Sequence, residues 1–174
     1  PAAGWSKGRI ADQRALVGAL ETCIREAERS AGVSAPGAVV GMGGATTQGL
    51  NSRGLYEMGR PRRISETETR FAVEQALDLH MPADRMILQA APQDFVVDGR
   101  AQFWNPEGAQ GSRLESFVHL VTVSQQEHQC LVSAVHQAHL AVEETVFEAY
   151  AAAYAALTSE ERAEGVAVLD IGAQ

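Results

Sequence analysis

The sequence predicts a mixed fold, part α+β and part α/β, and three observations carry that prediction. Phe117 to Val123 is almost wholly apolar and β-branched, the pattern of a strand covered on both faces. Two Ser-x-x-Glu capping boxes, Ser65 with Glu68 and Ser124 with Glu127, each open a run with helical spacing. Gly165 to Ile171 (GVAVLDI) is a continuous apolar run of the kind found in buried parallel sheets.

The stretch Gly111 to Ser124 is the centre of the chain. Met86 to Asp98 reads as a second strand, broken near Pro92, which cannot donate to a ladder. Phe103 to Gln110, with Asn105-Pro106 and Gly108, is the loop between them. The expectation is an antiparallel pair with the helices from Ser65 and Ser124 on one face. His119 is the titratable interruption of the strand and reads as a hydrogen-bonded core residue.

At 174 residues the chain can bury roughly 70% of its unfolded surface and needs no staples. Hydrophobic residues make up 45% and charged residues 21%, which is ordinary for a globular protein. A net charge of −8 argues against nucleic acid or an anionic membrane as the main partner. Arg60, Arg62 and Arg63 form the one basic cluster. No apolar run reaches the length of a membrane span and no signal peptide is visible, so the cytoplasm is the expected compartment. Cys23 and Cys130 lie on or beside apolar helical stripes without CxxC spacing, which predicts buried thiols. A start at Pro1 suggests a processed or excised piece.

In order, Pro1 to Asp12 is an entry segment. A helix follows with Leu16, Leu20, Ile24, Ala27 and Ala31 on its stripe, ended by Gly32. Ala38 to Met42 is a short strand, and Gly43-Gly44 marks a boundary. Thr46 to Met58 reads as an edge-like strand with glycine breaks. The helix after Ser65 turns Ala72, Val73, Ala76 and Leu77 inward; the one after Ser124 uses Leu131, Ala134, Val135 and Ala138. Val142 to Phe147 is a strand, and the alanine-rich run Ala149 to Leu157 is a helix.

His128, His136 and His139 share a helix, but no HExxH motif accompanies them, which argues against a metal site. No GxSxG elbow or Cys/His dyad is legible. In the terminal LDIG, Asp170 ends a strand and Gly172 follows in a turn. That arrangement can set a carboxylate beside Mg²⁺ and open backbone N–H groups to phosphate, but strand ends with Asp-x-Gly are common and a plain turn is the commoner reading. Arg53, Arg60, Arg62 and Arg63 stand near the edge-like strand, where they can steer an acidic partner or merely solubilise a turn.

Eight segments in order resemble the bacterial cell-division FtsA family of the actin superfamily. They are Gly4-Trp5-Ser6-Lys7-Gly8-Arg9-Ile10-Ala11-Asp12, Asn51-Ser52-Arg53-Gly54, Pro92-Gln93-Asp94-Phe95-Val96-Val97-Asp98 and Asn105-Pro106-x-Gly108. Gly111-Ser112-Arg113-Leu114-Glu115, Val118-His119-Leu120-Val121-Thr122, Leu157-Thr158-Ser159-Glu160-Glu161-Arg162 and Gly165 to Gly172 complete the series. The resemblance implies pieces of an actin-like (ribonuclease H-like) subdomain 1A at 1–44 and 142–174, with the start of 2A at the end. It also implies an inserted strand-helix-strand-strand module, 1C, at 45–141.

On the same resemblance, Asp170 and Gly172 belong to the second phosphate loop and Glu148 orders the attacking water. Ala173-Gln174 in place of Gly-Gly, with Thr usually next, and Ala149-Tyr150 in place of Pro-Leu, depart from the pattern. The resemblance implies no catalytic turnover of note, at most a weak ATPase, with ATP and Mg in the full-length protein and none bound by this fragment. It implies a polymerising adaptor at the cytoplasmic face of the membrane. FtsZ would bind through a subdomain outside this sequence, later division proteins through 1C, and the membrane through a C-terminal helix also outside it. A related actin-like adaptor of type IV pilus assembly is the alternative.

Overall fold

A computed structural model of the chain describes residues 3–6 and 8–171. Strands β1 (Trp5–Ser6) and β2 (Arg9–Ile10) precede helix α1 (Gln13–Ala31) and strand β3 (Gly37–Met42). Strand β4 (Gln48–Arg63), helix α2 (Glu66–Leu77) and strands β5 (Arg85–Val97), β6 (Ala101–Phe103) and β7 (Gln110–Ser124) follow. Helix α3 (Gln125–Gln137), strand β8 (Ala141–Phe147) and helices α4 (Glu148–Ala156) and α5 (Ser159–Glu164) complete the order. The chain divides into two compact units: Pro1–Thr47 with Val123–Gln174, and Gln48–Thr122.

In the first unit, β3 and β8 pair in parallel, from Gly37 opposite Ala141 to Met42 opposite Phe147. Helix α1 begins at Asp12, whose carboxylate accepts from the Ala15 N–H at 3.0 Å, and ends at Gly32 in the left-handed region. Leu16 is buried, while Ala27 and Ala31 on the expected stripe are exposed. Leu131, Ala134 and Val135 of α3 and its C-cap Ala138 are all buried, as their spacing predicts. Cys23 is exposed and Cys130 half-buried, both free, so the expectation of two buried thiols fails.

In the second unit the strands run β4-β7-β5-β6 across one sheet. Strands β4 and β7 are antiparallel, in register from Gln48 opposite Thr122 to Glu57 opposite Arg113. The ladder then shifts: Met58 to Pro61 bulge out against Ser112, with Gly59 at φ 74, before Arg62 meets Gly111. Even-numbered residues of β7 face α2, and Leu114, Ser116, Val118 and Leu120 are fully buried there. Ile64, Ala72, Phe95, Val97 and Leu114 form one cluster, and Ala76, Val118 and Leu120 another.

Helix α2 lies over both β4 and β7. The Ser116 hydroxyl donates to the Ala72 carbonyl at 2.7 Å. A Cβ at Gly54 would overlap that same carbonyl oxygen and stand 2.6 Å from the Ala76 nitrogen. Glycine is what lets the helix approach this closely.

Three expectations change. Strand β5 runs through Pro92 unbroken, because β6 pairs only with Phe95 to Val97 and leaves Pro92 on an open side. The helix from Ser124 belongs to a different unit from the one from Ser65: α3 packs on α1, β2 and β8 in the first unit. The compact second unit accordingly ends at Thr122, short of the Ala141 read from the sequence. Finally, Gly165 to Ile171 forms no strand: Leu169 is 86% and Ile171 91% exposed. An apolar run becomes a strand only beside a neighbour that completes its ladder, and among the described residues this segment has none.

Candidate functional site

From Gln48 to Glu57, before the bulge, odd-numbered residues of β4 and their odd-numbered partners in β7 point away from α2 and make the open face of the second unit. Asn51 stands opposite His119, Arg53 opposite Phe117, Leu55 opposite Glu115 and Glu57 opposite Arg113. The His119 ring nitrogen Nδ1 and the Asn51 side-chain oxygen are 2.7 Å apart, so His119 is a cross-strand partner on a half-buried face rather than a core residue.

Glu115 is 6% exposed, a carboxylate held between two arginines. Arg53 donates to one oxygen and Arg113 to the other at 3.0 Å, which is what burial of that charge requires. The Arg53 guanidinium also lies 5.8 Å from the centre of the Phe117 ring. Leu55 and Phe117 remain 40% and 38% exposed beside this cluster. The face therefore combines apolar area with fixed charge.

The four arginines of the sequence reading do different things. Arg53 belongs to the Glu115 cluster. Arg60 is exposed in the bulge. Arg62 pairs with Glu68 at 2.9 Å, which makes it part of the α2 cap. Arg63 is exposed opposite Gln110 and passes the Gly108 backbone. Strand β4, expected as a weak edge, is the longest strand described and does lie at the sheet edge.

Two carboxylates here are held below their usual range. For Glu68 the main cause is the Ser65 hydroxyl, followed by the Ser65 N–H at 2.9 Å, with Arg62 adding its charge. For Asp98 it is the Ser112 N–H at 3.0 Å, then the Arg113 N–H at 2.9 Å and the Ser112 hydroxyl. Asp98 and Gly99, at φ 50 and φ 67, turn the chain from β5 into β6, so this carboxylate ties the turn to β7.

In the first unit, Glu148 is the first residue of α4, directly after the carboxyl end of β8. Its side chain lies against Gly41 and Gly43, where a Cβ would stand 2.8 and 2.7 Å from it. A carboxylate at the carboxyl end of parallel strands is where α/β sheets place ligand chemistry. Asp170 lies in the exposed extended segment after α5. Gly172 lies outside the described residues. No group of three or more His, Cys, Asp or Glu that could hold a metal ion occurs among the described residues.

Sequence reasoning missed Glu115, Arg113 and Phe117. The signal was present as the alternation Arg113, Glu115, Phe117, His119, which runs on into Phe117 to Val123, the part read as covered on both faces. No helix of the described chain is long and apolar enough to cross a membrane.

The model of the SHS2 domain inserted in FtsA matches residues 44–122. The chain is 36% identical over 170 residues to the cell division protein FtsA of Borreliella burgdorferi, covering 97% of this chain and 41% of that protein. To the Pseudomonas aeruginosa protein of the same name it is 32% identical over 172 residues, covering 99% and 41%. To that of Bacillus subtilis it is 30% identical over 173 residues, covering 99% and 39%. The chain thus spans about two fifths of these curated relatives. The boundary at 122 coincides with the end of the second compact unit, and the mixed α+β architecture suits a domain inserted into an actin-like fold. Residues 44–122, which contain the second compact unit, match the SHS2 domain inserted in FtsA, and over 97–99% of its length the chain is similar to cell division proteins of that name.

Proposed function

We propose that the chain works in bacterial cell division as part of an actin-superfamily adaptor that polymerises, links the FtsZ ring to the membrane and receives later division proteins. The observation that carries this reading is an FtsA-type SHS2 domain folded as a compact unit with a long edge strand and an open face holding Arg53, Glu115 and Phe117. Edges of this kind template other chains, and charge beside apolar area gives register and specificity. The second unit acts by docking.

The test uses the full-length protein carrying Arg60→Glu and Arg63→Glu. Arg62 is left alone because it holds Glu68. Assembly in sedimentation and rescue of septation in cells depleted of the native protein should both weaken, with the melting temperature of the 174-residue chain unchanged. Normal assembly and normal septation overturn the docking role; binding of a pilus-protein tail in place of division partners moves the reading to pilus assembly.

Glu148, Asp170 and Gly172 belong, in this reading, to an ATP and Mg site of the full-length protein used for switching. The chain by itself should bind ATP negligibly. Half a phosphate cradle lacks several charge-assisted hydrogen bonds, each contributing about 1.5–3 kcal/mol. Calorimetry on this chain that finds micromolar ATP binding shows the site to be elsewhere.

A further inference from the structure

We propose that β4 is the seam of a two-fold dimer, its free edge taken by the β4 of a second copy of this chain. The inference rests on the reading of the second unit as an association module and names the partner. Strand β4 lies at the sheet edge, so the backbone groups on its outer side have no ladder partner among the described residues. The regular part of the edge ends at the bulge, where Gly59 is left-handed and Pro61 lacks an N–H.

The five residues before that bulge, Arg53-Gly54-Leu55-Tyr56-Glu57, are complementary to their own reverse. An antiparallel pairing centred on Leu55 sets Arg53 opposite Glu57 of the second copy, twice, on the open face. It also sets Gly54 opposite Tyr56, twice, on the helix face, and Leu55 opposite itself on the axis. This is what an isologous contact demands. Moving the centre to Arg53 sets that arginine against itself, and moving it to Gly54 sets Arg53 against Leu55. Charge thus selects one register. The Arg53 side chain is 53% exposed and its guanidinium has five N–H donors, enough to keep Glu115 and reach a second carboxylate.

Helix α2 permits the pairing. It lies over Gly54 of β4 and Ser116 of β7, hence above the line between those strands. With strands about 4.8 Å apart, its two-fold copy stands about 10 Å away, within the range of packed helices. Exposed apolar side chains flank the seam on both faces. Leu55 and Phe117 lie on the open face, and Phe71, with its ring 5.3 Å from that of Tyr56, on the helix face.

The test is sedimentation equilibrium of the 174-residue chain over a series reaching millimolar concentration. The chain should dimerise. Glu57→Arg and Arg53→Glu should each weaken the dimer by about tenfold or more, and an equimolar mixture of the two should restore it, because both contacts then join opposite charges. Should Arg53→Glu disturb Glu115 and the fold, as circular dichroism will show, the second arm decides. In a Cys23→Ser, Cys130→Ser background, Leu55→Cys should form a disulfide dimer in air, since residues on the axis of an antiparallel pair lie at disulfide distance. Leu50→Cys should not. A monomer throughout, equal cross-linking at positions 50 and 55, or an acidic peptide protecting the β4 amides of a monomeric chain overturns the proposal. Loss of the Leu55 cross-link alone, with the Arg60/Arg63 outcome intact, overturns the seam and leaves the division reading standing. The reverse pattern overturns the division reading and leaves the seam.

Discussion

A methyl group at position 54 would occupy the space of the Ala72 carbonyl oxygen, and no side-chain motion can relieve that, because the obstacle is backbone. Gly54→Ala should therefore lower the stability of the second unit by on the order of 3 kcal/mol, visible as a lower urea midpoint. An unchanged midpoint means that α2 does not sit against β4 as described. Glu68 gives a pH signature. Its folded pKa lies below the ordinary carboxylate value of 4.5, so its contribution is fully present above that value. The contribution is lost as pH falls through the lower folded value. Glu68→Gln should flatten the pH dependence of stability below about pH 4.5 while leaving its slope near neutrality alone. An identical acid limb in the variant contradicts the role given to the Ser65 hydroxyl and N–H.

Two helix caps with the same Ser-x-x-Glu motif behave differently. At α2, Glu68 returns to Ser65 and closes the box. At α3, the Ser124 hydroxyl accepts from the Glu127 N–H at 3.4 Å, but the Glu127 carboxylate leaves the cap. It accepts from the Thr46 hydroxyl at 2.5 Å and pairs with Arg9 at 3.4 Å. Glu127 thus joins segments 81 residues apart. The exposed Arg9 pair adds little, whereas a hydrogen bond to a half-buried charge contributes about 1.5–3 kcal/mol. Glu127→Ala should cost about 2 kcal/mol in denaturant unfolding and speed amide exchange around Thr46, while Ser124→Ala should cost about 1 kcal/mol. Equal costs with exchange confined to α3 imply a plain capping role for both. The local motif was legible in the sequence; where its carboxylate goes is a long-range matter.

At the scale of the molecule, the chain is two units whose boundaries in sequence are Thr47 and Val123. The strand Gln110–Ser124 and the helix Gln125–Gln137 are joined without a loop, so sequence reading kept them in one module. Packing on α1 and β8 puts the helix in the other unit. The four arginines looked alike as a cluster. Only the fold separates Arg53 and Arg62, which hold buried carboxylates, from Arg60 and Arg63, which face solvent. That separation is why the docking test alters two of them rather than all.

By itself the sequence determined the elements: helices opened by Asp12, Ser65 and Ser124, the buried positions Ala72, Ala76, Leu131, Ala134 and Val135 of the last two, and strands at 38–42, 86–97, 113–124 and 142–147. Those follow from local periodicity and from hydrogen bonds that close within a few residues. Tertiary structure alone decided the rest. It left Gly165 to Ile171 without a ladder partner, let β5 run through Pro92, placed Glu148 against Gly41 and Gly43, and enclosed Glu115 between Arg53 and Arg113. Each of these depends on residues far apart in sequence meeting across a strand pair or a helix face. Ladder hydrogen bonds and buried charge are satisfied by neighbours in space, which no local pattern encodes.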